Sequence, residues 1–239
     1  MTRRRWIADQ VIGNHAVLTG SHAGHLTRVL RAHIGQEFDV VAAGVLRRGR
    51  IVDLQEDRVE FALGDEISAA NLPFFTSVLS IFKFDRREWA IEKCTELGVS
   101  RIIPMIAQRT ESHLASAALK RTERWKRIGY QAAEQSRRIS SPEIEAPLKV
   151  KDVVARQATL RILLDETESA VTLKSVLQSY PAGEEVMLAF GPEGGWTKGE
   201  LGLFHEAGWV SASLGSTILR AETAAIAATA IVMSEIVEA

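Results

Sequence analysis

The chain has a single cysteine in 239 residues, Cys94, which excludes an intramolecular disulfide and cannot by itself make a zinc site. Cys94 shares a helical face with Ala90 and Leu97, the setting of a buried core thiol rather than of a nucleophile. No run approaches the ~18 apolar residues of a membrane span, and no apolar signal core follows residues 1–6, so a cytoplasmic protein is expected. Neither G-x-x-x-x-G-K-[ST] nor G-x-G-x-x-G occurs, which removes the P-loop and dinucleotide fingerprints. His22, His25 and His33 have no carboxylate or cysteine at a spacing that completes a site, so no metal is expected. Internal repeats and low-complexity tracts are missing as well.

Excess charge is also missing. A net charge of −1 argues at first sight against a nucleic-acid partner. The total hides a partition: residues 1–82 carry 9 Lys/Arg against 9 Asp/Glu, residues 83–138 carry 13 against 7, and residues 139–239 carry 7 against 14. Within the first fifty residues 8 arginines outnumber 3 acids. Cations are thus concentrated in the N-terminal half, where they could meet phosphates, although any one cluster could equally be a solvated face.

Alternation and punctuation divide the chain. An amphipathic stretch near residues 25–31 is followed by strand-like segments at 38–42, 50–54 and 59–63, separated by Gly44, Gly49 and the charged turn Glu56-Asp57, which reads as a small β-barrel. Residues 68–73 carry no charge and end in proline, a plausible linker. Strands expected at 76–82, 101–106, 160–164, 186–190 and 210–214 then alternate with helices at 86–97, 119–137, after Thr197, and from Ala221 onward. That alternation predicts an α/β fold with a mostly parallel sheet covered by helices. Residues 139–158 fit no pattern.

The most informative stretch is VMLAFGPEGGWTKGELGLFHEAGWVSASLGSTILRAETA, residues 186–224. It holds two glycine-punctuated loops, each between an apolar strand and a helix. Thr197 with Glu200 three residues on forms a capping-box signature for the first helix. Adjacent βα loops of low bulk form the crevice in which open α/β sheets hold ligands. Pro192 lacks an N–H and Glu193 brings a carboxylate, so a phosphate fits poorly; a neutral or cationic nucleoside fits better. The alternative is that the glycines only serve tight turns.

With HLTRVLRAHIGQ at 25–36, K-x-D-R-x-E-W-x-I-E-K-x-T-E-L-G-V at 83–99, RWKRIGYQAAEQSRR at 124–138 and LLDE at 163–166, the GPEGG and LGSTILRAETA loops make the chain resemble the SPOUT-class RsmE family of 16S ribosomal RNA uridine-N3 methyltransferases. The resemblance covers nearly the whole chain, with Arg137 standing where the family more often has a small residue. It implies a SPOUT-type knotted parallel sheet with helices on both faces over residues 74–239, preceded by a PUA-like RNA-binding barrel over residues 1–70. It also implies S-adenosylmethionine as methyl donor, 16S ribosomal RNA within the small subunit as partner, and a homodimer.

Site residues follow from the same resemblance. The donor would meet Leu164, Gly191, Pro192, Glu193, Gly194, Gly195, Leu214, Gly215, Ile218, Leu219, Arg220, Thr223 and Ala224, with Asp165 and Glu166 at a third strand end. Arg220, Glu222, Arg138 and Glu134 are the catalytic candidates, with Gln135 nearby. RNA would be contacted by Arg4, His25, Arg28, Arg31, Lys83, Arg86, Arg109 and Arg138. A cation such as Arg220 near the uracil oxygens would stabilise charge left by loss of the N3 proton. Arg220 and Glu222 could instead pair merely to fasten the loop. Three function classes stay open at this point: an RNA methyltransferase, a non-catalytic RNA-binding protein, and a metabolic enzyme with a nucleotide cofactor.

Overall fold

A computed structural model describes residues 5–67, 74–181 and 183–236 of the chain. Arg4 and the linker expected at 68–73 lie outside the described residues. The chain divides into two compact units, Met1–Asn71 with Glu134–Ser140, and Leu72–Ala133 with Ser141–Ala239.

The first unit is a six-stranded sheet of β1 (Arg5–Ile7), β2 (Gln10–Ile12), β3 (His15–Thr19), β4 (Glu37–Ala42), β5 (Val45–Leu54) and β6 (Arg58–Glu66), in the order β1-β4-β5-β6-β3-β2. Every neighbouring pair is antiparallel except β1 with β4. The two end strands follow one another in the chain, and between them Ala8 N–H bonds Val41 O while Asp9 N–H bonds Val17 O, so the sheet curls on itself. Alternate residues Phe38 and Val40, Val59 and Phe61, and Ala16 and Leu18 fill the interior, as the two-residue side-chain period requires. Gly49, expected to separate strands, lies inside β5 beside a register shift. A Cβ there would press on Val40 and Phe61, so the glycine serves close packing at an irregular strand rather than a turn. The stretch near 25–31 becomes a short helix α1 (Gly20–Gly24) continued by one π-helical turn, His25–Val29.

The second unit is a seven-stranded, wholly parallel sheet. Its strands are β7 (Phe75–Ser80), β8 (Arg101–Ile106), β9 (Glu143–Ile144), β10 (Leu148–Lys149), β11 (Leu160–Leu164), β12 (Val186–Phe190) and β13 (Val210–Ala212). They run in the order β10-β8-β7-β12-β11-β13, with β9 beside one end of β8. Helices α2 (Phe84–Leu97), α3 (Ser112–Gln135), α4 (Val150–Val154), α5 (Leu173–Gln178), α6 (Lys198–Glu206) and α7 (Ala221–Ile236) cover it. Strands β7 and β12 are buried throughout, as strands covered on both faces must be. Two apolar clusters result, one centred on α2 and α7, the other on Trp196, Phe204 and Trp209. The α/β fold expected from the sequence is the fold observed, including the small curled sheet before it. Residues 139–158, unassigned from the sequence, supply β9, β10 and α4, pieces too short to show a period.

Candidate functional site

Register places Leu79 beside Phe190, Ala189 beside Leu163, and Leu164 beside Ala212, so the chain leaves β7, β12, β11 and β13 along one edge of the sheet. β13 is an end strand, yet α7 packs on α2, α5, β7 and β12. Residues 213–220 therefore carry the chain back across the carboxyl ends of β11 and β12, over the place where the GPEGG loop emerges. Two loops of low bulk are brought together at the edge where parallel sheets bind ligands.

The GPEGG loop is held from several sides. Gly195 N–H closes a turn onto Pro192 O at 2.8 Å. Arg86 Nη1 lies 3.1 Å from Glu193 Oε1, and Arg109 Nη1 donates to Gly194 O at 2.6 Å. The Trp196 indole N–H donates to Leu164 O at 2.7 Å, tying this loop to the end of β11. The capping box expected at Thr197 forms, with Glu200 N–H donating to Thr197 Oγ1 and Thr197 N–H to Glu200 Oε2. Glu200 Oε1 in turn accepts from Gln108 N–H at 2.7 Å, so one buried carboxylate caps α6 and anchors the loop after β8. Gly195 has φ +69°, a backbone region that disfavours side chains, and a Cβ there would also meet the Glu166 carboxylate. Asp165, buried, accepts from Thr167 N–H and Oγ1 and so shapes the turn after β11, while Glu166 is exposed.

The second loop offers backbone and small residues. Gly215 and Ile218 are exposed, Ile218 by 93%, and Leu214 and Leu219 are partly buried. Arg220 is exposed, and its carbonyl accepts from Ala224 N–H at 2.8 Å, opening α7 with Thr223 on its outer side. Glu222 is 6% exposed; Oε1 stands 3.8 Å from Arg86 Nε, and Oε2 is buried without a hydrogen-bond partner. The suggested Arg220–Glu222 pair is thus replaced by Arg86–Glu222, because residues two apart at a helix start do not face each other.

Two expected RNA contacts, Arg86 and Arg109, bond the GPEGG loop, and Arg109 and Lys83, which stands just before α2, are exposed. The neighbouring Arg87 was not singled out from the sequence. It is wholly buried, donates to Leu79 O and Ser80 O at 3.0 and 2.7 Å, and stacks 4.6 Å from the Trp125 ring centroid. Burial pushes its guanidinium down to about 9. The available signal was its place in the stripe Arg87-Ile91-Cys94, otherwise the apolar face of α2.

In the first unit, Glu134 and Arg138 sit with the curled sheet rather than in the unit that holds Arg220 and Glu222. Glu134 Oε1 lies 3.9 Å from His22 Nε2, and the rings of His22 and His25 stand 6.1 and 5.8 Å from Trp6. Burial lowers the Arg138 guanidinium from its usual range. Arg137 adopts φ +58° just past α3, and its carbonyl accepts from Arg5 Nη1 at 2.7 Å. Several of the arginines behind the positive charge count are already paired: Arg48 with Asp39, Arg50 with Glu37, and Arg28 with Glu56. Arg31 is exposed at φ +49°. Among the described residues no group of three or more His, Cys, Asp or Glu could hold a metal ion, and no helix is long and apolar enough to cross a membrane.

A family model described as an RNA methyltransferase domain matches residues 70–233, a span that includes both loops. The chain is 35% identical over 222 residues to ribosomal RNA small subunit methyltransferase E of a Synechocystis species, covering 90% of this chain and 72% of that one. The chain belongs to this methyltransferase E family. The Bacillus subtilis member is 32% identical over 224 residues, covering 87% and 85% of the two chains. The structure of the Neisseria gonorrhoeae member bound to S-adenosyl methionine superposes with a TM-score of 0.76 at 25% identity, covering 96% of each chain.

Proposed function

We propose that this protein transfers a methyl group from S-adenosylmethionine to N3 of a uridine in 16S ribosomal RNA of the small subunit. The observation that carries the reading is the crossing of residues 213–220 over the strand ends beside the pinned GPEGG loop, in a family with a member solved bound to that donor.

The residues fit the donor. Gly194 and Gly195 keep side chains out of the crevice, Pro192 and Glu193 disfavour a phosphate, and Glu222 Oε2 is a buried acceptor without a hydrogen-bond partner, which suits a cationic ligand better than an anionic one. Leu164, Gly191 to Gly195, Leu214, Gly215, Ile218, Leu219, Thr223 and Ala224 would hold it. When bound, the donor supplies an electrophilic methyl on its sulfonium. The chain must then align the uracil with that methyl, and positioning alone contributes a large part of such a rate. Loss of the N3 proton leaves negative charge on the uracil oxygens, and exposed Arg220 is the cation placed on the loop to stabilise it.

The first unit recruits RNA through His25, Arg28 and Arg31, Arg138 completes the RNA-facing surface, and the second unit performs the chemistry. The protein works in the cytoplasm as a homodimer, and residues 213–220 with α7 complete a trefoil knot around the donor. Calorimetric titration with S-adenosylmethionine, followed by transfer of labelled methyl to small-subunit particles, tests the reading. Donor binding without transfer to RNA would favour a non-catalytic RNA-binding protein.

A further inference from the structure

We propose that Arg86 is a positioning residue for donor binding: from the first turn of α2 it ties the Glu193 carboxylate of the GPEGG loop to the Glu222 carboxylate at the start of α7. The inference rests on the donor site proposed above and assigns Arg86 a role other than contact with RNA.

Two edges of one guanidinium are in use. Nη1 stands 3.1 Å from Glu193 Oε1 and Nε 3.8 Å from Glu222 Oε1. The Arg86 side chain is 33% exposed, Glu193 34% and Glu222 only 7%. A carboxylate buried that deeply needs a nearby cation, and among the described residues Arg86 is the one within ion-pair distance. Glu222 therefore holds Arg86 inward, and the rigid fork then presents Nη1 at a fixed place for Glu193. A lysine ammonium lacks this rigid planar fork and would hold the two partners in a less fixed geometry.

The hydrogen bond to Glu193 and the ion pair with Glu222 join the two loops that form the crevice, one directly and the other through the helix it feeds. Fixing both before the ligand arrives removes ordering cost from binding, so the link acts on donor affinity. Arg109, bonded to Gly194 O, supports the same loop from the side of β8.

The test is calorimetric titration of S-adenosylmethionine into Arg86→Gln, Arg86→Lys, Glu193→Gln and the double variant Arg86→Gln/Glu222→Gln, with thermal melts of each ligand-free protein. Arg86→Gln is expected to weaken the donor roughly tenfold or more, equivalent to about 1.4 kcal/mol, and Arg86→Lys to fall between it and wild type. Glu193→Gln, which leaves the buried pair intact, should weaken the donor without lowering Tm. The double variant should regain the Tm lost in Arg86→Gln but not the affinity. Wild-type affinity in Glu193→Gln, with affinity regained in the double variant, would reduce Arg86 to a structural fastening and overturn the proposal. So would Arg86→Gln with normal donor affinity and weakened RNA binding. A wild-type chain that binds no S-adenosylmethionine would defeat the proposed function itself, an outcome visible before any variant is made.

Discussion

The indole N–H of Trp196 donates to the carbonyl oxygen of Leu164 at 2.7 Å, so a side chain just past the GPEGG loop is bonded to the last residue of β11. Trp196 is 5% exposed and lies edge-on to Phe204, which fixes the ring in place. Trp196→Phe keeps most of the packing and removes the donor. The expected loss of stability is about 1–3 kcal/mol, since the Leu164 carbonyl is left buried without its partner. Affinity for S-adenosylmethionine should fall with it. Denaturant melts and donor titration check this, and an unchanged affinity would mean that the loop keeps its shape without the bond.

Gly195→Val introduces a branched side chain at φ +69° and against Glu166. Donor binding should be lost or weakened by well over tenfold while the far-ultraviolet circular dichroism spectrum stays that of the wild type. Donor affinity equal to wild type would remove the GPEGG loop from the site.

Arg28 and Arg31 should act on RNA alone. The Arg28–Glu56 pair spans 3.6 Å between side chains that are 68% and 80% exposed, so it is weak and can open to a phosphate. Replacing both arginines by alanine should weaken RNA binding and reduce its salt slope by roughly one unit for each phosphate that is no longer neutralised. Arg220→Ala should show the reverse, with RNA affinity kept and single-turnover methylation slowed by roughly a hundredfold or more, in the range known for removal of a group that stabilises a developing anion. Filter binding across a salt series and single-turnover assays on both variants decide the matter; Arg28 and Arg31 variants with normal RNA affinity would refute the division.

Cys94 should be inert in the folded protein. Burial raises its thiol from 9.0 to about 11, and its sulfur accepts from Thr229 Oγ1 at 3.3 Å. Between those two values the unfolded chain gives up the thiol proton and the folded chain keeps it, so the Cys94 contribution to stability is present below pH 9 and declines as pH rises toward 11. The stability difference between wild type and Cys94→Ala should therefore shrink on going from about pH 8 to about pH 10.5. Alkylation by iodoacetamide at about pH 8 should require denaturant; rapid modification of the native protein would contradict the buried setting.

The second unit was more legible in the sequence than the first, for a physical reason. Strands β8, β11 and β12 are buried, nearly unbroken apolar runs, and their observed bounds coincide with those expected. Strands β1 and β2 have three residues each and depend on partners more than thirty residues or a tight turn away, which leaves no periodic trace. Both glycine-punctuated loops were legible because glycines follow apolar runs there. The partners of Arg86 and Arg109 were not, since composition records a charge without recording what it faces. Glu222 found Arg86, 136 positions earlier, instead of its chain neighbour Arg220.

The most direct test of the central claim is mass mapping of modified nucleosides in 16S ribosomal RNA from a strain lacking this protein, compared with the parent and with the same strain carrying the gene again. The account predicts that one N3-methyluridine disappears in the deletion strain and returns on complementation, but not with the Gly195→Val variant. An unchanged set of methylated nucleosides, or loss of a methyl group from a base other than uridine, would contradict it.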